Sequence, residues 1–144
     1  MYNDVEQKSG HAKVLNELPL ETFKLLVCGK KHELVGDNTK MIIVKFGATW
    51  CRPCQQIKSL CEKMFEEMPD NVSCFDIDID ESMDLYISLK KYKMANGVPC
   101  LLAYVLNPNR NANEWYIPNN SVTGGNPVHV VSFFDRCKQL AMKL

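Results

Sequence analysis

Between Met41 and Asp80 the apolar pattern changes period twice, and that change constrains the fold more than any other feature of the chain. Met41 to Phe46 (MIIVKF) is a β-branched run suited to a strand buried on both faces, interrupted by one charge at Lys45. From Pro53 to Met68 the apolar residues fall at Ile57, Leu60, Cys61, Met64, Phe65 and Met68, the stripe of an amphipathic helix that stops at Pro69. Extended backwards, the stripe places Cys54 on the buried face. Val72 to Asp80 (VSCFDIDID) then alternates strictly, as a strand does.

The flanking segments complete the pattern. Leu18 to Cys28 reads as a short helix with Pro19 in its first turn and Gly29 as its stop. Ser82 is placed to cap a helix running to about Met94, closed by Gly97. Cys100 to Leu106 is an apolar strand, NPNRNAN a loop, and Glu114 to Ile117 its expected hairpin partner. Asn126 as N-cap and Pro127 at the first helical position open a last helix with the stripe Val130, Phe133, Phe134, Cys137, Leu140 and Ala141. The order predicts an α/β fold, a mixed central sheet flanked by helices on both faces. At 144 residues one domain is expected, residues 18–144, behind a flexible N-terminal extension, residues 1–17.

Apolar residues make up 46% of the chain and charged residues 24%, which fits a globular protein and not a disordered one. Seventeen basic residues balance seventeen acidic ones, so neither a nucleic acid nor an anionic membrane is an expected partner. The longest uncharged apolar stretch, Val98 to Leu106, is about half of the roughly 20 residues a membrane span needs. The first twenty residues contain no apolar signal core, which predicts a cytoplasmic protein. Neither a G-x-x-x-x-G-K nor a G-x-G-x-x-G occurs, so no nucleotide cofactor is implied.

Seven cysteines, an odd number without a secretory signal, argue against a full disulfide framework. Two of them stand in Trp50-Cys51-Arg52-Pro53-Cys54, where the first strand gives way to the long helix. A bare C-x-x-C is a weak signal; a Trp before it and a Pro inside it make it a strong one. At a helix start, unpaired N–H groups stabilise a thiolate and bring a thiol from about 8.5 into roughly the 3.5–7.5 range. Cys51 is thus expected to be the exposed nucleophile, and Cys54, one turn on and facing the core, the resolving thiol. Pro53 fixes the backbone between them, and Trp50 packs beside the site. A C-x-x-C can also be half of a zinc site, but no second pair at metal spacing accompanies it, so no metal is expected. Cys28, Cys61, Cys74 and Cys137 read as small core residues. His11, His32 and His129 read as surface residues, and Asp78 and Asp80 as a solvated strand face rather than a cation site.

From Met41 to Leu144 the chain resembles the thioredoxin family. MIIVKFGATWCRPC looks like the family's strand and active-site segment, VSCFDIDID like its next strand, Gly97-Val98-Pro99 like its cis-proline loop, and Gly124 like the glycine before its last helix. The resemblance implies a thioredoxin fold and a protein-disulfide oxidoreductase that needs no bound cofactor. Its partners would be protein disulfides and either a thioredoxin-reductase-like reductant or a thiol oxidase. Val98 would pair backbone to backbone with substrate beside Pro99, and Cys100, directly after it, is a candidate third redox thiol.

The departures are specific. Arg52 stands where thioredoxins carry glycine. Lys45 replaces a buried acid, and Asp76 aligns opposite it, so an ion pair of reversed polarity is expected under the site. Cations at Arg52 and Lys45 would favour the Cys51 thiolate and make the disulfide more oxidising. Ser59 replaces a kinking proline, which predicts a straighter helix. Residues 107–120 are longer than usual, and Trp115 and Tyr116 there either recognise a partner or pack down on the domain. Two other functions fit the same residues: a non-catalytic interaction module of this fold, and a disulfide-transfer partner of a thiol oxidase.

Overall fold

β1 (Met41–Gly47) is buried along its whole length and forms the axis of the sheet. The computed structural model of the chain describes residues 14–144, so most of the expected N-terminal extension lies outside the described residues. The sheet has the order β2-β1-β3-β4: β2 (Val72–Asp78) runs parallel to β1, β3 (Cys100–Val105) antiparallel to it, and β4 (Asn120–Thr123) antiparallel to β3. Residues 14–17 do not hang free of it. Leu15 N–H donates to the Cys74 carbonyl at 3.0 Å and the Leu15 carbonyl accepts from Asp76 N–H at 2.8 Å, a single rung on the outer edge of β2.

Alternation along β1 sorts the core into two layers. Ile42, Val44 and Phe46 join Phe23, Leu26, Phe75, Leu85, Leu89 and Tyr104 on the side of α1 (Leu20–Val27) and α4 (Asp84–Lys91). Met41 and Ile43 join Ile57, Cys61, Phe65, Leu101, Phe133 and Phe134 on the side of α3 (Lys58–Glu66) and α5 (Pro127–Ala141). Lys45 and Gly47 continue this second face toward the C-terminal end of the strand. Helices therefore cover both faces, as the sequence pattern predicts.

Five local expectations are corrected. The helix expected over Pro53–Met68 breaks into α2 (Arg52–Gln56) and α3 at Ile57, whose φ of −102° and ψ of 5° end one helix and begin the next. Ser59 thus does not straighten it; Ile57 is fully buried against the sheet, and the break lets that side chain face inward. Met83, not Ser82, stands at the N-cap of α4, because Ser82 N–H is engaged by the Asp78 carbonyl at 3.0 Å in the turn leaving β2. That helix also ends earlier, at Lys91. The partner of β3 is Asn120–Thr123 and not Glu114–Ile117.

The last correction has a clear cause. Arg110, within the expected loop, donates to the carbonyls of Val27 (3.0 Å), Ile117 (2.9 Å) and Val105 (2.9 Å), tying the segment to the ends of α1 and β3. Ala112–Glu114 is one 3-10 turn, and Trp115 is buried edge-on against Phe23 with the Lys24 ammonium 4.9 Å from its ring centre. The Tyr116 ring lies against Tyr92, tilted by 57° with the ring centres 3.9 Å apart. Both aromatics pack down on the domain.

Candidate active site

The turn after β1 brings Cys51 N–H to the Ala48 carbonyl at 3.2 Å and leaves Cys51 as the N-cap of α2. Pro53 lies in the first helical turn, where a missing N–H costs nothing. Cys54 N–H, in the first turn of the helix, donates to Cys51 Sγ at 3.2 Å, the bond an N-cap side chain accepts. Because α2 is only five residues long, this local donor, more than a long helix dipole, is what the Cys51 sulfur experiences. Cys51 and Cys54 form a disulfide with a Cα–Cα distance of 5.2 Å.

Cys51 is 5% exposed and Cys54 3% exposed, which corrects the expectation of an openly exposed outer cysteine. The burial comes from the loop opposite. The Val98 carbonyl oxygen is 3.6 Å from Cys51 Sγ, and the Val98–Pro99 peptide bond is cis. Once reduced, the Cys51 thiol can donate to that oxygen. Gly97, at φ 121°, gives its N–H to the Tyr86 hydroxyl at 2.9 Å, and the Pro99 carbonyl accepts from Gly124 N–H at 2.9 Å. Gly125 closes the assembly: a Cβ there would lie 2.9 Å from Pro53 Cβ and 3.1 Å from the Pro53 carbonyl oxygen. Loops 50–54, 97–99 and 124–126 are thus held against one another.

Trp50 does not pack down beside the site. It is 67% exposed and is anchored by its Nε1–H, which donates to Asp80 Oδ2 at 2.8 Å. Arg52 and Pro53 are also exposed and form the rest of the rim. Cys100 is fully buried in β3 and accepts from Thr123 Oγ1 at 3.8 Å; burial pushes its thiol up, only partly offset by that hydroxyl. This is the setting of an unreactive thiol.

Beneath the disulfide, the parallel register sets Lys45 beside Asp76, and Lys45 Nζ lies 3.3 Å from Asp76 Oδ1. The pair is lopsided, with side-chain exposures of 6% for Lys45 and 33% for Asp76. Lys45 is the one buried charged side chain among the described residues. A Cβ on Gly47 would lie 3.6 Å from Cys54 Sγ and 3.7 Å from Lys45 Nζ, so the sulfur and the ammonium border one small space. Cys61, on α3 over the same face of the sheet as Lys45, is pushed up to about 11 by burial, with Lys45 pulling it down and Asp76 raising it. No group of three or more His, Cys, Asp or Glu side chains positioned for a metal ion occurs among the described residues.

Sequence reasoning paired Lys45 with Asp76 in register and set Cys51, Cys54 and the Val98–Pro99 loop together, while Trp50, expected to pack beside the site, stands exposed. It missed Asp80, Tyr86 and Gly125, which act on the site from elsewhere in the chain. Only Gly125 had a signal, the Gly-Gly pair ahead of α5.

A mixed sheet carrying a C-x-x-C disulfide at a strand-to-helix junction, faced by a cis-proline loop, defines a thioredoxin-fold protein. Solved structures share that architecture: the thioredoxin of Trichomonas vaginalis superposes with a TM-score of 0.62 at 16% identity, over 87% of this chain and 97% of its own. Malassezia sympodialis thioredoxin does so with a TM-score of 0.59 at 20% identity, over 91% and 96%. The family model for thioredoxin matches residues 25–113, and the chain belongs to the thioredoxin family. Among curated relatives, thioredoxin of Ophiophagus hannah is 43% identical over 55 residues, 38% of this chain and 51% of that protein. The chain spans about half the length of the curated thioredoxins it matches.

Proposed function

We propose that the chain is a thiol–disulfide oxidoreductase acting on protein disulfides, with Cys51 as the attacking and Cys54 as the resolving sulfur. The observation that carries this reading is the Cys51–Cys54 disulfide at a helix start, where the first-turn amide of Cys54 points at Cys51 Sγ. In the reduced protein that amide and the Val98 carbonyl oxygen hold Cys51 in place. The Cys51 thiolate attacks one sulfur of a substrate disulfide, that S–S bond breaks, and the departing substrate sulfur takes up a proton. Cys54 then displaces the second substrate sulfur and the Cys51–Cys54 bond re-forms. Two electrons have passed to the substrate, and no bound cofactor is needed. An external dithiol, supplied by a thioredoxin-reductase-like partner, returns the pair to the reduced state; a thiol oxidase would drive the same steps backwards.

The substrate chain runs along the cis-proline loop, with Val98 as its backbone partner and Trp50, Arg52 and Pro53 as the surrounding rim. A reducing compartment such as the cytoplasm suits the five cysteines that remain unpaired among the described residues. No helix among those residues is long and apolar enough to cross a membrane.

The test is insulin reduction driven by dithiothreitol. Wild type should accelerate it, Cys51→Ser should abolish the acceleration, and Cys54→Ser should accumulate mixed disulfides with substrate. A wild-type protein no faster than dithiothreitol alone would leave the non-catalytic interaction module as the better reading.

A further inference from the structure

We infer that Lys45 is a positioning residue for the second half of the exchange: its buried ammonium stabilises the Cys54 thiolate, so the resolving sulfur is activated by a fixed positive charge and not by a carboxylate base. The inference rests on the thiol–disulfide reading of the site and adds to it the group that governs the resolving step.

Placement carries the argument. The expectation from sequence was a cation acting on Cys51. The structure puts the Lys45 ammonium near the other sulfur: Cys54 Sγ and Lys45 Nζ both border the point where a Gly47 side chain would begin, and Gly47 leaves that point empty. A Cβ there would meet both atoms at ordinary van der Waals distance, so position 47 puts no side chain between the ammonium and the sulfur. Asp76 Oδ1 is the acceptor the described residues offer Lys45, and Asp76 is the more solvated partner, so its negative charge is screened more than the positive one. The net field at Cys54 is therefore positive. The charged and titratable groups around this space are Lys45 from β1, its partner Asp76 from β2, Cys51 as the disulfide partner of Cys54, and Cys61 from α3, on which Lys45, Asp76 and Glu62 all act.

The step balances without a base in the protein. In the mixed disulfide, Cys54 S–H gives its proton to water at the Asp76 side. The thiolate, held by Lys45, attacks Cys51 Sγ, the bond from Cys51 to the substrate sulfur breaks, and the substrate thiolate leaves and is protonated by solvent. The protein dithiol is oxidised and the substrate disulfide reduced. A stabilised Cys54 thiolate also stabilises the reduced protein over its disulfide, which raises the reduction potential.

Two equilibria test this, neither of which requires turnover of a protein substrate, so their failure is separable from failure of the insulin assay. The first is the ultraviolet thiolate titration of Cys54 in a Cys28→Ser/Cys51→Ser background; the second is the redox equilibrium of the otherwise unaltered protein with glutathione. Lys45→Met should raise the Cys54 titration by about one pH unit and, at a pH above both titrations, shift the glutathione equilibrium about tenfold toward the protein disulfide, about 30 mV more reducing. Asp76→Asn should shift both the opposite way, and Lys45→Arg should keep the wild-type values. Loosened packing would move Lys45→Met and Asp76→Asn alike. Shifts of one sign in both variants, or an unmoved titration in Lys45→Met, overturn the inference; if Lys45→Met does not fold, an Asp76→Asn shift toward higher pH does so.

Discussion

Gly125 has no side chain, and the place where one would begin is already taken by Pro53, 2.9 Å away at its Cβ and 3.1 Å at its carbonyl oxygen. Both neighbours belong to a short helix start held by a disulfide, so neither can swing aside as a flexible side-chain tip would. Gly125→Ala should lower stability by about 1–3 kcal/mol, read as an earlier urea midpoint at unchanged slope. At this scale the site was partly legible. Cys51, Cys54, Pro53 and Trp50 are contiguous, and their chemistry follows from spacing at a strand-to-helix junction. Lys45 and Asp76 could be paired because parallel register is set by alternation. Asp80 and Tyr86 could not, because each reaches the site from a distant part of the chain, and the Gly124-Gly125 pair marks a turn without showing that it meets Pro53. Asp80 in particular has the pattern of one more solvated strand carboxylate, and only the fold brings it to the Trp50 indole.

The elements the sequence located best are those with both a period and a stop signal. α1 ends where Gly29, at φ 77°, allows it, and α5 begins where Asn126 caps the Val128 N–H. Misplaced elements had periods overridden by tertiary contacts. The segment around Trp115 has strand-like composition, but Arg110 and the Phe23 pocket hold it as an irregular loop. Likewise the helical stripe from Pro53 onward is continuous in sequence while the backbone breaks at Ile57, and no proline is needed for the break. Since Ser59 sits in the first turn of α3, where the helix leaves its N–H groups unpaired, Ser59→Pro should be tolerated with a change below about 1 kcal/mol. Glu62→Pro, one turn further in, should cost about 3 kcal/mol or more in the same denaturation experiment.

For the molecule as a whole, the buried thiols set an alkaline limit. Burial pushes Cys61 up to about 11 and Cys137 up to about 12 from an ordinary 9.0, and Cys74 and Cys100 move the same way. A thiol whose folded value is raised keeps its proton after the unfolded chain has lost its own. The folded state then binds more protons between the two values, so stability falls as pH rises through them. With Cys51 and Cys54 kept oxidised, the melting temperature should hold up to about pH 9 and decline between about 9 and 12, each thiol adding at most about 1.4 kcal/mol per pH unit. Replacing Cys61 and Cys137 by Ala should flatten the decline, and an unchanged slope would exclude these thiols as its source.

Leu15 touches the sheet at one position only, yet it occupies the flank of β2 that would otherwise offer Cys74 C=O and Asp76 N–H to any passing strand. Trimming the chain back past that residue would expose a ready template for self-association, and filament growth or dimers would then start from the side of the sheet remote from β4.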